Sequence, residues 1–127
     1  MRILYICRNN DILSPVAEAL TRKFKPEFEV ESAGTHASNS LINKIKDSLE
    51  KDDSLKYLKP SPDQLTQRAI DEADKIITMK RKQKNHIVRY HDVDSNKIEV
   101  WNVDDSRNPG ISFEVSYMKL KNNVKNL

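Results

Sequence analysis

The strongest constraint in this 127-residue sequence is a strand pattern, Arg2 to Ile6, that breaks at Cys7 and is answered by Ser14-Pro15. Serine as N-cap with proline at the first helical position marks a helix start, so the chain turns from strand to helix across residues 7–13. A strand feeding a helix in this way opens an α/β fold, and the rest of the sequence repeats the alternation. Val16, Ala17, Leu20 and Phe24 recur at helical spacing from Pro15 to about Lys25, where Pro26 stops the helix. Phe28 to Ser32 reads as a second strand ending at Ala33-Gly34, Leu41 to Leu49 as a helix, and Glu50 to Asp53 as its solvated end. Ser61-Pro62-Asp63-Gln64 has the form of a capping box for a helix through about Ala73. Lys75 to Met79 is a third strand, Arg81 to Tyr90 a helix and Ile98 to Trp101 a fourth strand, while Phe113, Tyr117, Leu120 and Val124 give a closing amphipathic helix. The pattern predicts one domain over residues 1–127: a three-layer α/β fold, a four-stranded parallel sheet with helices on both faces and ligands at the carboxyl ends of its strands.

Cys7 stands at such an end. As the only cysteine it can form no intramolecular disulfide, and a tetrahedral thiolate zinc site is excluded, so it serves either packing or chemistry. An anion above Ser14-Pro15 would meet the unpaired amides and positive dipole end of the first helix. The same field is expected to lower the Cys7 pKa and populate the nucleophilic thiolate. The alternative is a small buried hydrophobe closing the first strand. The net charge of +3 falls short of a nucleic-acid footprint. No apolar run approaches the roughly 20 residues of a membrane helix, and no signal-peptide core follows Met1-Arg2, so a soluble cytoplasmic protein is expected. No metal or cofactor is called for.

Cys7 to Leu20, reading C-R-N-N-D-I-L-S-P-V-A-E-A-L, resembles the phosphate-binding loop and first helix of the low-molecular-weight protein tyrosine phosphatases, a family that includes thioredoxin-linked arsenate reductases. Ser32-Ala33-Gly34-Thr35, Leu65-Thr66, Ala73 to Met79 and Trp101-Asn102-Val103-Asp104-Asp105 extend the resemblance along nearly the whole chain. It implies Cys7 as nucleophile, Asn10 as the loop asparagine in a left-handed conformation, Ser14 as the hydroxyl that stabilises the thiolate, and Asp105 as the general acid. Asp104 competes for that last role, because the family's Asp-Pro pair reads Asp105-Ser106 here, and Ser106, Arg107 and Asn108 replace the tyrosines that flank the acid. The anion-binding loop would comprise Arg8, Asn9, Asn10, Asp11, Ile12 and Leu13.

The departure that matters is Leu13, which stands where the family places an arginine whose planar fork binds two phosphate oxygens. Losing such a group costs on the order of 10³ to 10⁵ in rate, by analogy with arginine fingers. Asp11 adds a carboxylate expected to repel a dianion, and Asn9 replaces a glycine; Arg8, beside the cysteine, is expected at the rim rather than the floor. The resemblance thus implies cysteine-dependent phosphate monoester hydrolysis weakened or lost. The alternative is a non-catalytic module of the same fold that binds anions or proteins, and ranked below it is arsenate reduction through an external thiol. The expected partners are phosphate or a similar oxyanion and a phosphotyrosine protein, not nucleic acid or membrane; the oligomeric state is not readable.

Three weaker constellations have plainer readings. Asp92-x-Asp94-x-Asn96, near His86 and His91, begins like a calcium loop, but Lys97 stands where glycine is needed and Val103 where the bidentate glutamate belongs. Lys80-Arg81-Lys82-Gln83-Lys84 lacks interleaved aromatics and reads as a charged helix start. His36 falls where it reaches the pocket rim or stands as a plain surface histidine.

Overall fold

The computed structural model describes every residue from Met1 to Leu127. Strands β1 (Arg2–Cys7), β2 (Glu29–Gly34), β3 (Lys75–Thr78) and β4 (Ile98–Val100) form one sheet in the order β2-β1-β3-β4, with every pairing parallel. Helices α1 (Leu13–Phe24), α2 (Ile45–Lys51), α3 (Gln67–Glu72), α4 (Arg81–Tyr90) and α5 (Phe113–Lys125) supply the outer layers. The period of two in β1 divides the interior. Ile3, Tyr5 and Cys7 join Val16 and Leu20 of α1, Ile45 and Leu49 of α2, and Tyr117, Leu120 and Val124 of α5 on one face. Leu4 and Ile6 join Ile70 of α3 and Ile87 of α4 on the other. The α/β fold with helices on both faces of a parallel sheet is therefore as the sequence implies. No helix is long and apolar enough to cross a membrane.

Several element boundaries differ from the sequence reading, each for an identifiable reason. Helix α1 begins at Leu13, ahead of the expected proline, with Ile12 as its N-cap; the Ser14 side chain caps nothing and turns instead to the Cys7 sulfur. The apparent capping box at Ser61 starts no helix. Residues 63–65 run extended beside the end of β2, where Gly34 N donates to Asp63 O (2.9 Å) and Leu65 N to Gly34 O (2.9 Å). Helix α3 starts only after Thr66, whose hydroxyl accepts from the Ala69 amide (3.2 Å). Leu41 and Ile42 likewise precede α2 rather than opening it, because the Ile42 amide is held by Asp11 O (3.1 Å). The second strand runs on to Gly34, and the fourth stops at Val100.

In this strand order the chain leaves β1 toward one edge and later fills the other. The switch therefore falls between β1 and β3, where an open parallel sheet leaves a crevice above its carboxyl ends. Cys7 is the last residue of β1, at the lip of that crevice.

Candidate active site

The turn after β1 wraps into a loop because a second segment straps it from outside. Thr35 N donates to Cys7 O (3.2 Å), His36 N to Arg8 O (2.8 Å), Ser38 N to Asn9 O (3.0 Å) and Ile42 N to Asp11 O (3.1 Å). With its carbonyls turned outward to the strap, the loop keeps the amides of Arg8, Asn9, Asp11, Ile12 and Leu13 free of any backbone partner. Asn10 takes a left-handed conformation (φ 53°) that asparagine tolerates better than most residues, and its amide donates to the Cys7 sulfur at 3.2 Å. The loop passes so close to β2 that a Cβ at Gly34 would lie 2.7 Å from Arg8 O and 3.0 Å from Asn10 N. Gly34→Ala should therefore push the loop off its strap and cost about 1–3 kcal/mol as over-packing does; thermal unfolding measures the loss.

A polar network beneath the loop fixes its asparagine. Asn10 Nδ2 donates to Ser14 Oγ (2.7 Å) and Ser32 Oγ (3.0 Å), and its Oδ1 accepts from Lys59 Nζ (2.8 Å) and the Asp63 amide (2.8 Å). Ser32 Oγ in turn donates to the buried Glu18 Oε1 (2.6 Å). Every member is satisfied, which is the condition under which a buried polar network rigidifies rather than destabilises. Sequence reasoning missed Lys59 and Glu18: nothing in their local spacing announces a contact across 49 or 14 residues.

Cys7 lies at the base of a cavity of about 340 Å³ that draws its lining from the segments following β1, β3 and β4: Arg8, Asn9 and Leu13, then Met79 to Gln83, then Asn102, Val103, Asp105 and Asn108. A larger hollow of about 530 Å³ opens near Met1, Phe28, Lys75 and Leu127, but no loop residue and no cysteine lines it. The Cys7 sulfur sits 3.0 Å from Ser14 Oγ. Burial pushes the thiol above its ordinary pKa, outweighing the Ser14 hydroxyl and the Ser14 and Asn10 amides that pull it down, and Asp11 pushes the same way as burial. The expectation of a lowered pKa is thus corrected: enclosure of the sulfur decides the direction.

The two candidate acids are separated as neighbours on an extended chain should be. Asp105 lines the cavity with Cys7, whereas Asp104 accepts from Lys80 Nζ (2.8 Å), whose hydrogen bond and charge hold it below the usual carboxylate range. Arg107, which sequence reasoning noted only as a replacement for a flanking tyrosine, joins the two carboxylates. Its guanidinium binds both oxygens of Asp11 (3.0 and 2.9 Å) and both of Asp105, the closest at 2.6 Å. Asp11 is buried, and Ser38 Oγ also donates to it (2.9 Å). Asp11 is therefore paired with a cation 96 residues away rather than standing free, while its charge still pushes the Cys7 pKa up. A buried carboxylate demands such a partner. Burial raises the Asp105 pKa, but the Arg107 hydrogen bonds and charge outweigh it and leave the carboxyl below its ordinary value.

The remaining named residues are dispersed. Ile12 is in the core, and Arg8 is exposed at the mouth of the cavity. His36 is exposed, bonded to Thr35 Oγ1 (3.0 Å), and its ring centroid lies 5.3 Å from that of His86, which also contacts Tyr90 and His91. Asp94 accepts from the Asn96 amide (2.9 Å), an ordinary turn contact.

The family model of the low molecular weight phosphotyrosine protein phosphatases matches residues 2–126. A comparison with curated proteins by sequence finds no match. Among solved structures, the chain is similar to the low molecular weight protein tyrosine phosphatase of T. tengcongensis, at 22% identity and a TM-score of 0.81 over 99% of this chain and 93% of that one. It is similar to the Erwinia amylovora tyrosine phosphatase AmsI at 24% identity and a TM-score of 0.85, covering 98% and 88%. The Escherichia coli tyrosine phosphatase Wzb, solved in complex with sulphate, gives 22% identity and a TM-score of 0.84, covering 98% and 94%. At these identities the structural likeness speaks for the fold.

Proposed function

This chain belongs to the low molecular weight phosphotyrosine protein phosphatase family, and we propose that it is an oxyanion-binding member whose hydrolysis of phosphate monoesters through Cys7 is weak. The observation that carries the reading is the loop itself, with the Cys7 sulfur bonded by Ser14 and the Asn10 amide at its base, free amides above, and Leu13 where the loop guanidinium would stand. That the related Wzb was solved with sulphate supports oxyanion binding at this site.

In the reaction, the Cys7 thiolate attacks phosphorus as the bond to the leaving oxygen breaks, and that oxygen takes the proton of Asp105. Water then displaces the cysteine from the cysteinyl-phosphate, with the Asp105 carboxylate accepting its proton. The chemistry needs a thiolate and a protonated carboxyl together. The site biases both the other way, since burial raises the thiol and Arg107 lowers the acid. The wider the gap between the two pKa values, the smaller the doubly ready population, by about tenfold for each pH unit. The amides supply hydrogen bonds to equatorial oxygens but no countercharge, because Leu13 has none.

A second reading, a purely non-catalytic module that binds a phosphotyrosine protein, is favoured by the chain of contacts Asp11–Arg107–Asp105, which commits the acid to an ion pair. Arsenate reduction ranks below both, for want of a second thiol. The deciding experiment measures phosphate or vanadate binding beside turnover of p-nitrophenyl phosphate. The proposal expects saturable oxyanion binding with turnover below about 10⁻² per second, far under the usual 1 to 10³, and complete loss of that turnover in Cys7→Ser. Binding without any Cys7-dependent turnover selects the second reading; no oxyanion binding overturns both.

A further inference from the structure

The cationic run Lys80-Arg81-Lys82, which the sequence offered only as a charged helix start, lies on the wall of the Cys7 cavity, contributed by the segment after β3, while Arg8 comes from the segment after β1. The cavity carries four cationic side chains against one carboxylate. Lys80 is committed to Asp104 and Asn102, and Asp105 to Arg107. Arg8, Arg81 and Lys82 are exposed and make no ion pair or side-chain hydrogen bond. Unpaired like charges around one mouth repel each other, and a ligand of opposite sign relieves that repulsion.

The vertical arrangement separates this surface from the cradle below. Cys7 is 6% exposed and surrounded by neutral amides, so a phosphoryl group on the sulfur is held by hydrogen bonds at the floor. The exposed cations stand at the mouth, where they meet the atoms to which the phosphoryl group is attached. We infer that the rim formed by Arg8, Arg81 and Lys82 selects ligands whose phosphorylated residue is flanked by carboxylates, that is, acidic phosphotyrosine peptides. The inference rests on the oxyanion-binding reading above and specifies its ligand class. It also gives the site the positive charge that Leu13 withholds, moved from the transferred group to the residues flanking it, whose charge does not change during the reaction, so that it favours binding over turnover.

Phosphonate peptides that cannot be hydrolysed test this on the wild-type protein. The probes are a peptide bearing phosphonodifluoromethyl-phenylalanine between glutamates, the same peptide with glutamines, the glutamate peptide with plain tyrosine, and vanadate alone. Three exposed charge pairs of ordinary strength together predict about a tenfold tighter Kd for the acidic phosphonate peptide than for the neutral one at low salt. That preference should shrink as ionic strength rises, fall in the Arg81→Gln/Lys82→Gln variant, and invert in Arg81→Glu/Lys82→Glu, while vanadate affinity of the Arg81→Gln/Lys82→Gln variant, whose loop residues are intact, changes far less. Vanadate binding with equal affinity for acidic and neutral phosphonate peptides overturns this inference alone. So does equally tight binding of the plain-tyrosine peptide, which marks a general polyanion surface. Failure of vanadate and of every phosphonate peptide to bind overturns the oxyanion reading and this inference with it.

Discussion

Leu13→Arg is expected to raise hydrolysis of p-nitrophenyl phosphate by at least about a hundredfold, the low end of what one transition-state donor contributes. Leu13 is 2% exposed, opens α1 and lines the cavity together with Cys7, so an arginine there starts at the wall of the cradle. Its fork supplies two parallel donors and a charge that strengthens its hold as the phosphoryl group flattens. The same substitution removes a core side chain from the cluster that holds Val16, Leu20 and Met79, so a loss of about 1–3 kcal/mol in stability accompanies the gain. Steady-state kinetics over pH, with Cys7→Ser in the same background as control, measure the effect. A folded Leu13→Arg protein with unchanged turnover would show that the missing guanidinium is not what limits the site.

On sequence grounds, pairing Leu13→Arg with an apolar residue at Asp11 removes a second obstacle. The structure changes that expectation, because Asp11 already shares its charge with Arg107 and with Ser38. Removing Asp11 also frees Arg107 to hold Asp105 alone, so the double variant should add little to turnover beyond the single one.

The alternation of strand and helix was legible because β1 and α1 carry uninterrupted local patterns, and the loop residues followed from the same stretch. Cys7, Asn10 and Ser14 are three and four residues apart, and their contacts with one another are local. What stayed hidden depends on tertiary pairing. Ser61-Pro62 has the chemistry of a helix start, yet residues 63–65 are captured by Gly34, and the cap that operates is Thr66. Asn10 is held by Lys59 and Asp63 from a loop whose composition is unremarkable. Ser14 was read both as a cap, because Ser-Pro usually is one, and through the resemblance as the hydroxyl beside the sulfur; only the second contact forms. The raised thiol pKa was misread because the sequence displays the helix field but not the enclosure that opposes it.

Arg107→Ala should have the largest effect on stability of any substitution at the site's surface, and its pH dependence distinguishes its two partners. Arg107 is 42% exposed on its side chain, while Asp11 is 3% exposed, so removing the guanidinium strands a buried carboxylate with Ser38 as its remaining side-chain donor. A fully buried pair broken in this way costs about 3–5 kcal/mol; with the arginine end in solvent about 1–3 is expected. The Asp105 contribution has a definite sign. Its folded pKa is depressed, so the stability that it draws from Arg107 is complete above its unfolded value near 4 and is lost as pH falls through the folded value. The gap between wild type and Arg107→Ala in urea unfolding should therefore be widest at neutral pH and narrow below about pH 4. Turnover should move the other way. Without Arg107 the Asp105 carboxyl rises toward its ordinary value and its protonated form becomes more populated at pH 5 to 6. Residual Cys7-dependent hydrolysis there should increase in proportion to that population, about tenfold if the carboxyl pKa climbs by one. A variant that is destabilised with no change in the acid limb of its rate profile would assign Arg107 to the Asp11 contact alone and remove Asp105 from the proposed acid role.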